Sequence, residues 1–285
     1  MSSWLSRALL ASACVVVLGA CSQATRIAYS NATTLAVWYV DDWFDLREGQ
    51  RDWLKDRFAR YIAWHRASEL PAYEKLLIDA AGQAGNGVTE EGARRVYTEV
   101  RRLYVRAIEQ ALPDMADFLL KMQPEQAAHL EKKYAEDNAK AAKQVAKKSG
   151  VERQELRAKR FVERIEDWTG KLTPAQKELI RARLVALPDL TDEWIADRRQ
   201  RQAETVALIR NRPARDEAVG TLRRVLIESE KWRSPEYAAK VKARDAQTIA
   251  MIVALDATLS AEQRLKLRKK ISGYAADIAY LMLPS

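Results

Sequence analysis

No strand-length window of this 285-residue chain alternates β-branched with polar residues, while Ala, Leu, Glu, Lys, Arg and Gln dominate it. Such alternation is what a half-buried strand requires, and those six residue types are strong helix formers. The chain is therefore expected to be all-α. Between Thr89 and Ala111, Val96, Val100, Leu103, Tyr104, Ala107, Ile108 and Ala111 recur at steps of three and four, the stripe of an amphipathic helix. Breakers at Gly82 to Gly87, Pro113, Gln123-Pro124, Ser149-Gly150, Thr169-Gly170, Pro188, Asn211 to Pro213 and Ser234-Pro235 divide the rest into loops and helix starts. A multi-helix bundle of about nine to eleven helices follows.

Charge is spread unevenly along it. Residues 121–160 carry 11 Lys or Arg against 6 Asp or Glu, so this stretch supplies a net +5 of the formal +9. From Glu131 to Gly150 its only large apolar residues are Tyr134 and Val145, which predicts a solvated basic helical arm. A soft boundary near Ser149 would separate an N-terminal half, 21–149, from a C-terminal half, 150–285.

A short pattern recurs four times at helix starts. Leu172-Thr173-Pro174-Ala175-Gln176 and Leu259-Ser260-Ala261-Glu262-Gln263 are clear copies; Met122 to Gln126 and Leu46 to Gln50 are degraded ones. Four residues after each Gln stands an aliphatic (Leu54, Leu130, Ile180, Leu267), and seven after it a base (Arg57, Lys133, Arg183, Lys270). Thr173 and Ser260 are good N-caps, and Gln176 and Gln263 three residues on complete a capping box. Arg47 and Gln123 are poor caps, and Asp45 with Glu48 is the expected substitute at the first copy. The motif resembles the L-T-x-x-Q signature of the Spy and CpxP periplasmic chaperones. That resemblance, confined to the helix starts, implies a helical protein that holds clients on a basic, partly apolar surface, with Arg57, Lys133, Arg183 and Lys270 as its contact bases.

The N-terminus gives an address. Arg7 precedes an apolar run from Ala8 to Leu18, the layout of a secretory signal and too short to span a bilayer. Leu18-Gly19-Ala20-Cys21 looks like a lipobox, which implies cleavage of residues 1–20, acylation of Cys21 and a periplasmic body of 265 residues held on the membrane by lipid. Ser22 lacks the acidic inner-membrane retention signal, favouring the outer membrane over the inner. Cys14 leaves with the signal, so no thiol remains to form a disulfide.

Ten of the 22 aromatic residues fall between Tyr29 and Tyr73, including Trp38, Trp43, Trp53 and Trp64. Such density predicts a core nucleus, the alternative being an exposed surface touching lipid headgroups or a partner. The run from Cys21 through Trp38 to Leu46 and on to Trp64-His65-Arg66 and Glu69-Leu70-Pro71, with Trp168, Leu172 to Gln176, Trp194 and Leu259 to Arg264, resembles a family of proteobacterial lipoproteins known only as a domain of unknown function. The resemblance implies an envelope lipoprotein and lends no activity.

Chemistry-bearing patterns are sparse. His65 and His129 are far apart with no ligand spacing around them, so no metal is expected, and His65 reads as a packed histidine. No phosphate-cradling glycine loop or nucleophile elbow is present, and Asp41, Asp42 and Asp45 read as a helix-edge stripe that pairs with bases. The expectation is a non-enzyme with no catalytic residues and no cofactor that works by binding, chaperone-like. The alternative is a non-catalytic envelope scaffold contacting lipid or cell wall, and the third reading an enzyme whose site is assembled from dispersed carboxylates. The partners would be the membrane, through the N-terminal lipid, and a protein client or an anionic envelope component. Nucleic acid is not expected, because the basic arm lacks interleaved aromatics.

Overall fold

A computed structural model describes residues 22–283, with side chains from Arg26 onward. The described residues form twelve α-helices, one short 3-10 turn at Ser229–Lys231 and no strand. The helices are α1 Ser22–Ser30, α2 Ala32–Phe44, α3 Gln50–Ser68, α4 Leu70–Asn86, α5 Glu90–Leu120, α6 Pro124–Ala146, α7 Gly150–Thr169, α8 Pro174–Val185, α9 Thr191–Asn211, α10 Arg215–Leu226, α11 Pro235–Asp256 and α12 Ala261–Leu281. The all-α bundle inferred from composition is what the chain adopts.

Two breakers act differently from their sequence reading. Pro113 lies inside the 31-residue α5 and does not end it. An interior proline forfeits a backbone hydrogen bond and costs about 3 kcal/mol; here Leu112 and Ala116 on either side are fully buried, and their packing offsets the loss. The glycine-rich stretch 82–87 is also helical up to Asn86. Only Gly87 needs glycine's freedom, ending α4 at φ 99°.

The largest core cluster draws Leu54 from α3, Leu112 and Leu119 from α5, Leu130 from α6, Ile209 from α9 and Leu222 from α10. Helices on both sides of Ser149 thus share one core. A second cluster joins Ala158, Ile180, Leu184, Met251 and Leu255 of α7, α8 and α11. Between them α4 and α12 pack along each other, burying Leu70, Ala81 and Ala84 against Ile271, Ile278 and Leu281. The lysine-rich end of α6 lies against α9, with ion pairs Arg210–Glu131 at 2.5 Å and Arg198–Asp137, while Lys132, Lys140, Lys143, Lys147 and Lys148 face solvent.

Most of the aromatic segment is interior. Trp53 stacks on Phe118 with ring centroids 6.3 Å apart, Phe44 meets Phe118 edge-on, and Trp43 tilts against Tyr134. Burial pushes the Tyr134 hydroxyl up to about 12. Where α3 meets α1 and α4, His65 is buried among Tyr29, Tyr61, Trp64 and Tyr73, its Nδ1 3.0 Å from the Tyr29 hydroxyl and its Nε2 3.3 Å from that of Tyr73. Burial pushes the imidazole down to about 4 from 6.5. A base depressed in this way is protonated in the unfolded chain first. The stability it contributes is complete above pH 6.5 and is lost as pH falls from 6.5 toward 4, by up to about 3 kcal/mol. Denaturant titrations from pH 7 to 5 should show this decline in the native protein and a flatter curve in His65→Gln; parallel curves would mean that His65 is not held neutral.

Candidate functional site

The four repeated helix starts meet in two pairs. The copies separated by 76 and by 87 residues touch; the interval of 50 between Gln126 and Gln176 separates the pairs. In the first pair, Gln50 at the start of α3 and Gln126 at the start of α6 exchange amide hydrogen bonds, Gln126 Nε2 donating to Gln50 Oε1 at 2.8 Å and Gln50 Nε2 to Gln126 Oε1 at 3.2 Å. In the second, Gln176 of α8 and Gln263 of α12 do the same at 3.0 Å in each direction.

Each amide also closes its own helix. Oε1 of Gln176 accepts the Thr173 backbone N–H at 2.9 Å, and Oε1 of Gln263 accepts that of Ser260 at 3.0 Å. In return, Thr173 Oγ1 and Ser260 Oγ accept the N–H groups of Gln176 and Gln263 at 3.2 Å, which completes two capping boxes. The remaining amide proton crosses to the neighbouring loop: Gln176 Nε2 donates to the Thr258 carbonyl and Gln263 Nε2 to that of Lys171, both at 2.9 Å. Every donor and acceptor position of these two buried amides is filled.

The degraded copies keep the glutamine chemistry and lose the hydroxyl. Oε1 of Gln126 accepts the Gln123 N–H at 3.0 Å and Oε1 of Gln50 that of Arg47 at 2.9 Å, while Gln126 Nε2 also reaches the Phe44 and Asp45 carbonyls. Asp45 and Glu48 do not cap α3. Gly49, at φ 78°, is its N-cap and no side chain caps it; Asp45 instead ends α2 in the left-handed region at φ 49°. Asp41 is turned the other way, accepting the Leu46 N–H and pairing with Arg51 at 2.6 Å.

A capping box tolerates Glu or Gln at its fourth position. The reciprocal pair does not. Only a carboxamide both accepts from its own cap and donates across the interface, and two glutamates there would face each other. The first residue of the motif and the aliphatic four after its glutamine, Met122 with Leu130 and Leu172 with Ile180, are buried beside the amides.

The bases seven residues after each Gln have different surroundings. Arg57 is 3.3 Å from Asp114 and lies over the Trp53 ring, Lys133 is 2.7 Å from Asp42, Lys270 approaches the Tyr274 ring, and Arg183 is exposed. Of the four tryptophans considered as contact residues, Trp43 and Trp53 pack against the core and Trp64 against Tyr61, whereas Trp38 is 70% exposed. Cys21 lies outside the described residues, as do residues 1–20, the expected signal.

Of the four buried carboxylates among the described residues, Glu69, Asp197, Asp256 and Asp277, Glu69 and Asp256 are each held by an arginine from another helix, a contact that no short window of sequence displays. Glu69, fully buried between α3 and α4, meets Arg106 of α5 at 2.7 Å. Asp256, ending α11, takes two 2.9 Å bonds from Arg264 Nη1 and also accepts the Val88 N–H. Among the described residues no group of three or more His, Cys, Asp or Glu gathers at metal-binding distance, and no helix is long and apolar enough to cross a membrane.

An open groove of about 940 Å3 lies over the second pair, walled by Lys171, Thr173, Leu179, Thr258, Ser260 and Lys266. The paired amides form its floor, so what shapes the groove also holds α8 to α12.

The pairing and simple capping differ in what they require. Thr173→Ala and Ser260→Ala should each cost about 1 kcal/mol. Gln263→Glu keeps the box but strands the Lys171 carbonyl and Gln176 Oε1, and should cost about 2 kcal/mol or more at neutral pH. Arg47→Ala should change little. Chemical denaturation measures all four, and a neutral or stabilising Gln263→Glu would reduce the motif to a cap.

Comparison with known proteins gives a family and nothing further. No curated protein and no solved structure matches the chain. A family model described as a family of unknown function, DUF6279, matches residues 42–238, a span that begins in α2 and ends in α11 and includes three of the four helix starts. The chain belongs to the DUF6279 family.

Proposed function

We propose that this protein is a lipid-anchored lipoprotein of the bacterial cell envelope, facing the periplasm from the outer membrane, that works by binding and not by catalysis. The observation that carries the anchor is in the sequence: Arg7, the apolar run from Ala8 to Leu18 and Leu18-Gly19-Ala20-Cys21 have the layout of a lipoprotein signal, and an acyl group on Cys21 would tie the body to the bilayer. Two or more chains give firm attachment where one is marginal.

Binding is supported by the groove over Gln176 and Gln263. It is open and lined by hydroxyls, an apolar wall at Leu179, Lys171, and Lys266 paired with Glu262 at 2.8 Å, surroundings that suit an extended polar protein segment. The likeness of the L-T-x-x-Q starts to Spy and CpxP points the same way, toward a chaperone-like client interaction. A second reading, an envelope scaffold without clients, is favoured by the ion pairs Arg57–Asp114 and Lys133–Asp42, which spend two of the bases within the fold.

Metabolic labelling with a palmitate analogue should mark the native chain and not Cys21→Ala, and the variant should leave the membrane fraction. Unchanged membrane association without label would sink the anchor. If the groove holds clients, the protein should slow aggregation of a denatured test protein at low salt, and Lys171→Glu with Lys266→Glu should abolish this with helicity intact. Salt should weaken the effect as well, because exposed charges about 10 Å apart are screened at 0.1 M. No effect across several clients would leave the scaffold reading.

A further inference from the structure

Helices α1 and α2 act as one rod. Asn31, the one residue between them, continues the helical ladder, donating its N–H to the Ile27 carbonyl at 3.1 Å and accepting that of Leu35 at 3.0 Å. Tyr29 and Val37 are buried on the inner side of this rod. Its outer side presents Ile27, Asn31, Thr34, Leu35 and Trp38, all exposed and spaced by one, three or four residues, so they share one face. Residues 27–40 contain no charged side chain, although charged residues make up 31% of the protein. A surface helix facing bulk water ordinarily carries charges on that side.

The apolar exposure gathers at this end of the molecule. Arg26 of α1 pairs with Asp277 of α12 at 2.9 Å and lies over the Tyr280 ring at 3.9 Å, which brings the end of α12 beside α1. Tyr280 and Leu283 are themselves exposed. Ile27, Leu35, Trp38, Tyr280 and Leu283 are thus five of the eleven large apolar side chains exposed among the described residues.

We infer that this face is a bilayer-docking surface: the outer side of the α1–α2 rod lies in the lipid headgroup region, with Trp38 as its interfacial anchor. The inference rests on the lipid-anchor reading. Residues 1–21 lie outside the described residues, and from Ser22 at 1.5 Å per helical residue Trp38 is about 24 Å along the rod. An acyl group on Cys21 therefore keeps the whole stripe within reach of the membrane. Tryptophan concentrates at the membrane–water interface because its ring is apolar and its N–H polar. An uncharged stripe of Ile, Leu, Trp, Thr and Asn enters that region without desolvating a charge.

The test uses the full acylated protein in vesicles of phosphatidylethanolamine and phosphatidylglycerol. Leu35→Cys and, as a solvent-facing control, Val151→Cys each carry one spin label, Trp38 staying intact; Val151 is exposed on α7. Flotation reports the anchor, and label accessibility to oxygen against a water-soluble nickel chelate reports the stripe. The expected result is a flotation-positive protein whose Leu35 label has an oxygen-to-nickel ratio several-fold above the Val151 label, falling toward it in Trp38→Ser. Equal ratios in a floating protein would overturn the docking surface and leave the anchor standing. Failure to float would remove both. A Leu35 label shielded from both reagents, with dipolar broadening between molecules, would overturn the inference in favour of contact between two copies.

Discussion

The reciprocal carboxamide pair is the interaction on which the architecture turns. A helix start leaves backbone N–H groups without partners, and burying it is costly unless they are satisfied. In the Gln176–Gln263 pair two starts are buried side by side, each glutamine satisfying its own helix with its oxygen and the opposite loop with its nitrogen. Because all four polar positions of the amide are filled, a group that would cost about 1–3 kcal/mol to bury unpaired is stabilising instead. The pair also fixes register: Gln50 meets Gln126 only if α3 and α6 begin at the same level, and Gln176 with Gln263 sets α8 against α12.

This explains how a chain with no metal cluster among its described residues fixes the buried helix starts at the edge of each packed region. The first pair sits at the edge of the large core around Leu112 and Leu130, the second at the edge of the cluster around Ile180 and Met251. Two buried carboxylates reach arginines of another helix, Glu69 before α4 pairing with Arg106 of α5 and Asp256 of α11 with Arg264 of α12. Such pairs add direction more than net stability, since losing one partner strands a charge.

Much of the fold was legible in the sequence, and for identifiable reasons. Helix-forming composition and the absence of strand alternation set the class, and Thr173 with Gln176 and Ser260 with Gln263 announced capping boxes because the chemistry is local, three residues apart. What could not be read was anything carried between distant segments. That Gln50 finds Gln126 across 76 residues, or that Glu69 is neutralised by Arg106, depends on packing that no short window encodes. Pro113 misled because its cost is local and the burial of Leu112 and Ala116 that offsets it is not. The aromatic segment divided for the same reason: Trp43 and Trp53 have partners from α5 and α6, and Trp38, five residues before Trp43, points to the opposite side of its helix.

Backbone hydrogen exchange tests the pairing most directly. N-terminal helix amides ordinarily exchange fast, because they fray and bond only to water. If each glutamine pair locks its two helix starts together, the N–H groups of Gln123, Thr173 and Ser260 should exchange only with the large-scale openings that release core amides such as those of Leu130 and Ile180, and Gln263→Glu should speed Thr173 and Ser260 together. Rapid, fraying-like exchange at these amides, or a response confined to the mutated helix, would contradict the account.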